Sequence, residues 1–440
     1  MVNKWLAMVL SVFLTVNLVP LTAYAGENTN LAPNAKSAVL MDMDTGTVLY
    51  EKDSHLPLQP ASITKIMTML LLMEAIEAGQ TTLNDMVRVS DHAASMGGTQ
   101  IYLEAGEEMS VRDLLKGVAI ASANDASVAI AEHVAGTEEA FVRLMNERAK
   151  QLGMKHTHFV NSNGLPHPDQ KSSAHDIALM SRELLKHDVI TDFTKVYQDY
   201  LRQDSDEPFW LVNTNKLVKY YDGVDGLKTG YTSEAKFCLS ATAKRGDFRV
   251  IAVVMGEPNA KTRNAEVSRM MDYAFNQYTN HVIAHKGEVL GSVPVDKGTT
   301  TTITVRAPQQ MSILAKKGSQ ASDYIREIVW KKTLQAPIEA GDSIGEVRVT
   351  KDGDTVATFP LTAHEDIPRS SVWNLTKRTL KKCCSFLTKR KILKWSKRPN
   401  KSRRSTSMKT RAVGKERTTV FFGSPFCVEY SILPFFPKRF

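Results

Sequence analysis

A serine stands three residues ahead of a lysine in Ser62-Ile63-Thr64-Lys65, where a run of helical residues begins. Helical spacing of i, i+3 puts Oγ and Nζ on one face, within reach of each other. A serine hydroxyl is a weak nucleophile and needs a base beside it. A lysine can be that base once burial and cationic neighbours lower its pKa. The start of the helix also offers free N–H groups to a developing oxyanion. Ser122-Ala123-Asn124 supplies a second hydroxyl and a side-chain amide on alternate positions. Lys228-Thr229-Gly230 brings a charge, a hydroxyl and a glycine that lets a substrate approach the backbone closely. Each alone is weak. S-x-x-K arises about twice by chance in a chain of this length at average composition. S-x-N reads equally well as a capping cluster, and K-T-G as a turn. Together, in this order and each at the edge of an expected element, they form a serine–lysine acyl-transfer set.

These residues need elements to position them. Ser37–Lys52 reads as two alternating strands around an Asp44-Thr45-Gly46 turn. The run after Pro60, as far as Glu77, is apolar nearly all round, which predicts a buried helix. Helices are expected over 111–136, 138–152, 174–187 and 264–278, and strands over 209–213, 235–243 and 248–255. The order of these elements predicts a sheet covered by helices, with the two ends of this part of the chain adjacent. Short alternating segments separated by Gly341-Asp342 and Asp352-Gly353 fill 286–365 and predict a small β-sandwich.

With 440 residues, 42% apolar and 23% charged, the chain can bury a large core, and most of it is not disordered. The net charge is +9, unevenly spread. Residues 367–440 hold 20 Lys and Arg against 2 Asp and Glu, which leaves 36 against 45 in the first 366. The body is therefore acidic and the tail basic, so no nucleic-acid partner is expected. Only Cys238 lies in the body, where a packed core thiol is expected and a disulfide framework is excluded. His156 and His158 have no third ligand at a telling spacing, so no metal is expected. Met1–Ala25 carries one Lys, an apolar stretch and an Ala23-Tyr24-Ala25 site, the pattern of a signal peptide cleaved after Ala25. An extracytoplasmic location follows, in the cell wall or on the outer face of the membrane. In the tail, Trp373, Leu380, Cys384 and Leu387 recur at near-helical spacing among Lys and Arg. Residues 370–395 thus read as a basic amphipathic helix for an anionic membrane surface.

The wording around the motifs carries a resemblance. KSAVLMDMDTGTVLYEKDSHLPLQPASITKIMT, GVAIASANDASVAIAEHVAG, FVNSNGLPH and DGVDGLKTGYT resemble the D-alanyl-D-alanine carboxypeptidases, low-molecular-mass penicillin-binding proteins. The resemblance covers about residues 35–365 and is nearest to the sporulation-associated enzymes of endospore-forming bacteria. It implies an α/β fold: a β-lactamase/transpeptidase-like catalytic domain over 26–280, then a β-sandwich domain over 281–366 and a basic tail over 367–440. It implies Ser62 as the acylated nucleophile, Lys65 as its base and Ser122 as proton relay. Asn124 would hold the substrate amide, Lys228 would supply field and binding, and Thr229 would contact the terminal carboxylate beside Gly230. Backbone N–H groups of Ser62 and Tyr231 would form the oxyanion hole. No cofactor is implied. The implied partners are peptidoglycan stem peptides and β-lactam antibiotics. Nothing in the resemblance reaches beyond Trp395; one reading of that remainder is a disordered tail, another a shift of reading frame starting near Lys381.

Three rivals share the motifs. A class A-like β-lactamase would need an E-x-x-L-N segment, and none lies between Asn124 and Lys228. A DD-endopeptidase of cross-links and a non-turnover β-lactam sensor are separated from the carboxypeptidase only by turnover.

Overall fold

Both faces of the first strand are buried in the computed structural model, which describes residues 30–331 and 334–380. Strand β1 (Ser37–Asp42) is buried at every position, and β2 (Val48–Lys52) pairs with it antiparallel. The alternation expected for β1 gives way because helices cover the sheet on both sides. Met41 and Val39 enter one core, and Leu40 and Ala38 the other. The five-stranded sheet is completed by β3 (Val224–Thr232), β4 (Lys236–Arg245) and β5 (Phe248–Glu257), in the order β2-β1-β5-β4-β3. All its pairings are antiparallel, and β1 lies beside β5, so the two ends of this part of the chain are adjacent. Strand β3 is the edge that carries Lys228-Thr229-Gly230, which is therefore ladder and not turn.

One face of the sheet packs against α1 (Lys65–Glu77), α2 (Asn124–Ala135) and α3 (Ala174–Leu184), and the other against α4 (Ala260–Gln277). Ile66, Met67, Leu70 and Leu72 of α1 are wholly buried, as an all-round apolar helix requires. Truncating any one of them to Ala would cost about 2–5 kcal/mol. Helix α3 ends at Leu184 rather than 187, and α4 starts at Ala260 because Asn259 caps it, its Oδ1 accepting from Thr262 N at 2.8 Å.

After α4 the chain forms three small sheets around a separate apolar core that includes Val293, Ile303, Ile344, Val347 and Leu361. Strand Ile325–Trp330 was not legible in the sequence, because none of its side chains is fully buried and its alternation is weak. The expected turn at Asp352-Gly353 joins Ser343–Lys351 to Asp354–Thr362, with positive φ at both residues (54° and 92°). The strands meet the catalytic sheet at Asp44, whose Oδ2 accepts from Ser312 Oγ at 2.6 Å and Gln310 Nε2 at 2.8 Å. Residues 372–380 form a helical segment, with Lys377 Nζ 5.2 Å above the Trp373 ring. The expected signal peptide over 1–25, the rest of the expected anchor helix over 381–395 and the remainder to Phe440 lie outside the described residues. No helix among the described residues is long and apolar enough to cross a membrane.

One buried acid sets a pH response. Glu257 ends β5 fully buried, with the Glu266 carboxylate beside it. Burial, and then the neighbouring Glu266 carboxylate, push it from 4.5 up to about 8. The folded chain thus holds a proton that the unfolded chain releases, and stability falls as pH rises between those two values. Glu257→Gln removes this slope. Thermal melts from pH 6 to 9 should show the variant gaining about 3–6 °C on the wild type. A constant difference across that range would reject the assignment.

Candidate active site

Ser62 lies in a single 3-10 turn, Ala61–Thr64, and α1 starts only at Lys65. The expected α-helical placement of the serine is thus corrected, while the spacing still works. Lys65 Nζ lies 3.2 Å from Ser62 Oγ. The turn is tight because other backbone backs onto it. A Cβ on Gly164 would sit 2.0 Å from Ala61 O, and one on Gly230 would sit 2.8 Å from Pro60 O. The glycine of K-T-G therefore makes room for the turn that carries Ser62, not only for a substrate.

Lys65 is completely buried. Its Nζ also meets Asn124 Oδ1 at 2.7 Å and the Asn163 carbonyl at 2.5 Å. Burial, and then the charge of Lys228, hold its pKa well below the ordinary lysine value. A neutral amine has two N–H donors and one lone pair. Asn124 and Asn163 can take the donors, which leaves the lone pair for the Ser62 hydroxyl. That is the arrangement a general base needs.

Ser122 occupies a break in the helix expected over 111–136. The α-helical turns of Val111–Lys116 widen through Gly117–Ala121, Ser122 adopts φ 71° and ψ 31°, and α2 begins at Asn124. A left-handed conformation at a serine costs about 1–2 kcal/mol and persists only where the surroundings enforce it. Here Ala123 N donates to Gly117 O at 3.0 Å and Asn124 N to Thr99 O at 2.7 Å. The Ser122 side chain is nearly buried and, among the described contacts, bonds neither lysine. The Asn124 amide is also engaged at its other end, Nδ2 donating to Gly97 O at 2.7 Å.

Lys228, on β3, is buried and donates to its neighbour's carbonyl, Thr229 O, at 3.1 Å. Burial, and then the Arg263 guanidinium, lower it to about 7. Thr229 Oγ1 donates to Thr214 Oγ1 at 2.7 Å. Tyr231 is exposed and packs on Phe237, ring centroids 4.4 Å apart. The fold thus gathers the three motifs from one turn, one helix break and one edge strand. Ser62 is only partly buried, while Lys65, Ser122, Asn124, Lys228 and Thr229 are all buried around it.

Sequence reasoning missed Asn163, Thr214 and Arg263. Asn161-Ser162-Asn163-Gly164 has turn chemistry, but only the fold shows why its backbone matters. Thr68 Oγ1 and Ser127 Oγ both donate to Ser162 O, at 2.6 and 2.9 Å, and so fix the next carbonyl on Lys65. Cys238 is a buried thiol pushed up to about 11 by burial, as expected for packing rather than reactivity. No group of three or more metal-ligating side chains stands together among the described residues. A cavity of about 590 Å³ lies elsewhere, between α3 and Gln310, and none of the motif residues lines it. Ion pairs such as Arg148–Glu183 (2.9 Å) and Lys286–Asp188 (3.1 Å) already neutralise much of its wall.

Residues 25–259 match the D-alanyl-D-alanine carboxypeptidase family, and residues 278–369 match the penicillin-binding protein 5 C-terminal domain. The chain is 52% identical to D-alanyl-D-alanine carboxypeptidase DacF of Bacillus subtilis, over 80% of this chain and 90% of that one. It is 32% identical to the carboxypeptidase DacD of Escherichia coli, over 80% and 93% of the two chains. Penicillin-binding protein 5 of Haemophilus influenzae superposes with a TM-score of 0.60 at 30% identity, over 76% of this chain and 98% of that one. Penicillin-binding protein D2 of Listeria monocytogenes, in its ampicillin-bound form, superposes with a TM-score of 0.50 at 30% identity, over 55% and 98%. By its motifs, its fold and these matches, the chain belongs to the D-alanyl-D-alanine carboxypeptidase family of serine hydrolases, with a penicillin-binding protein 5 C-terminal domain.

Proposed function

We propose that this chain removes the terminal D-alanine from peptidoglycan pentapeptide stems through an acyl-enzyme on Ser62. The observation that carries the reading is the buried Lys65 amine, 3.2 Å from the serine and held by two neutral oxygens. Lys65 takes the hydroxyl proton as Ser62 Oγ attacks the penultimate D-Ala carbonyl. The oxyanion is held by the Ser62 and Tyr231 N–H groups. The C–N bond breaks, and the proton passes through Ser122 to the leaving amine of D-alanine. Lys228 and Thr229 hold the terminal carboxylate, and Asn124 both holds Lys65 and borders the substrate amide. Water then cleaves the acyl-enzyme. A β-lactam acylates the same oxygen and is slow to leave, because the amine expelled on ring opening stays tethered to the adduct in the site, whereas D-alanine departs and makes room for water.

Mass spectrometry after incubation with penicillin and with a diacetyl-Lys-D-Ala-D-Ala peptide tests this reading. A stable adduct on Ser62 with the first, and release of D-alanine from the second, are expected. Adduct without release would favour the β-lactam sensor, and rapid hydrolysis of penicillin the β-lactamase. Cleavage of cross-linked dimers in preference to the pentapeptide would favour the endopeptidase.

The domain limits given above, export through residues 1–25, and membrane contact through the tail belong to the same proposal. So does a role in sporulation, which an expression time course through sporulation would test. N-terminal sequencing of the exported protein should find its first residue at Gly26. Removing residues 371–440, which leaves the buried Ile367 and its pairing with Ile338 in place, should abolish sedimentation with anionic vesicles while leaving turnover of soluble peptide unchanged. Each basic residue near such a surface adds about 1 kcal/mol at most, so a purely electrostatic tail would let go in high salt. An amphipathic helix would hold on. Equal sedimentation of both forms would place the membrane contact elsewhere.

A further inference from the structure

The hairpin formed by Gln198–Leu201 and Phe209–Val212 has two unlike faces. Leu201 and Leu211 are buried, and Phe209 meets the Tyr102 ring edge-on with centroids 5.9 Å apart. On the opposite face Tyr200 and Trp210 stand directly across from each other, 44% and 55% exposed. Two large rings opposed in register and open to water form a patch, not scattered apolar surface.

Polar contacts tie the hairpin to neighbouring segments of the same domain. Arg202 donates to Ile101 O at 3.0 Å and, from Nε, to Glu107 Oε1 at 2.8 Å. Lys116 pairs with Asp199 at 3.1 Å. Just beyond the hairpin, Asn213 N donates to Tyr197 O at 2.8 Å and Thr214 N to Ile120 O at 3.2 Å. Thr214 then accepts from Thr229. The strand that carries Trp210 thus runs on to Thr214, which bonds the motif residue Thr229. Trp210 precedes Thr214 by four residues, the first two still in the strand, so the chain between them reaches at most about 13 Å. Four extended residues of a stem peptide, from its sugar attachment to the scissile bond, span about the same distance.

We propose that the Tyr200–Trp210 face binds a sugar ring of the peptidoglycan glycan strand and so serves as a subsite for the polymer to which the stem is attached. The inference rests on the carboxypeptidase reading of the site. The axial C–H groups of a pyranose are polarised positive and suit the negative face of an aromatic ring. Hydroxyls need acceptors beside the rings, and the hairpin tip supplies Asp204, Asp206 and Glu207, all exposed. The same carboxylates make the patch hostile to anionic lipid and to polyanionic wall polymers, which leaves a neutral carbohydrate as the fitting occupant.

The test uses the full chain with two substrates, a disaccharide-pentapeptide and the same pentapeptide without sugar. Trp210→Ala should raise KM for the sugar-bearing substrate about tenfold, the size of one ring's stacking contribution, with kcat unchanged. Trp210→Phe should restore most of the loss, because it keeps a ring. KM for the sugar-free peptide should stay within twofold in both variants. Stem-free glycan oligosaccharides should change the tryptophan fluorescence of the wild type and of Tyr200→Phe, and change it less in Trp210→Phe. Equal KM for the two substrates in wild type and Trp210→Ala, with no fluorescence response to glycan, would overturn the proposal. Anionic-vesicle binding lost in Trp210→Ala, without a glycan response, would overturn it in favour of a membrane contact. Absence of turnover on either substrate would instead reject the carboxypeptidase reading, and the glycan titration would still decide this one.

Discussion

Ser62→Ala should abolish labelling by penicillin and lower D-alanine release by at least about 10⁴-fold, the scale of losing a nucleophile that acts as one unit with its base. Among the described residues no other hydroxyl is hydrogen-bonded to the Lys65 amine. Thr68 is taken by the Ser162 carbonyl, and the Ser122 hydroxyl bonds neither lysine. The fold should survive. Ser62 is partly exposed, its one side-chain hydrogen bond is to Lys65 at 3.2 Å, and Lys65 keeps both Asn124 and Asn163 without it. The melting temperature should therefore stay within a few degrees of wild type. A penicilloyl adduct that persists in the variant would reject Ser62 as the nucleophile.

Lys65→Arg should fail nearly as badly as Lys65→Ala, with acylation about 10²–10⁴-fold slower than wild type, the usual contribution of a general base. Arginine keeps the charge but does not give up its proton in a protein, so it has no lone pair for the serine. The wild type should show the complementary pH behaviour. Burial, and then Lys228, lower the Lys65 pKa, so acylation should be lost only as pH falls through that depressed value. The stability sign is consistent with this. Between the depressed pKa and the ordinary lysine value of 10.5 the unfolded chain holds a proton that the folded chain lacks. Stability from this group therefore rises with pH across that window. Because Arg is bulkier than the fully buried Lys65 it replaces, penicillin binding before acylation should be measured alongside the rate. An Arg variant that acylates at a near-normal rate would show that Lys65 acts only as a positive charge.

Much of this was legible along the chain. The three motifs, their order, the buried helix after Pro60, the hairpin at Asp352-Gly353 and the core placement of Cys238 all follow from local residue pattern. Such patterns report periodicity and turn chemistry, which are properties of neighbours in sequence. The strand Ile325–Trp330 escaped because none of its side chains is fully buried, so its periodicity is weak. The break at Ser122 escaped because Gly117–Ala121 has helical composition. What opens the helix there is contact with Thr99 and the need to seat Asn124 on Lys65.

The sequence by itself determined which residues have the right chemistry: a serine with a lysine one turn on, a second serine near an amide, and a lysine beside a threonine. Only the tertiary structure decided that Lys65 is buried between neutral oxygens with a lowered proton affinity, as a base requires. Its partners Asn124 and Asn163 lie 59 and 98 residues away, and the charge that depresses its pKa comes from Lys228 on a distant strand. Proton affinity depends on burial and on the charges and dipoles within a few ångströms. Packing brings those groups together across long stretches of chain, and no local pattern of residues records it.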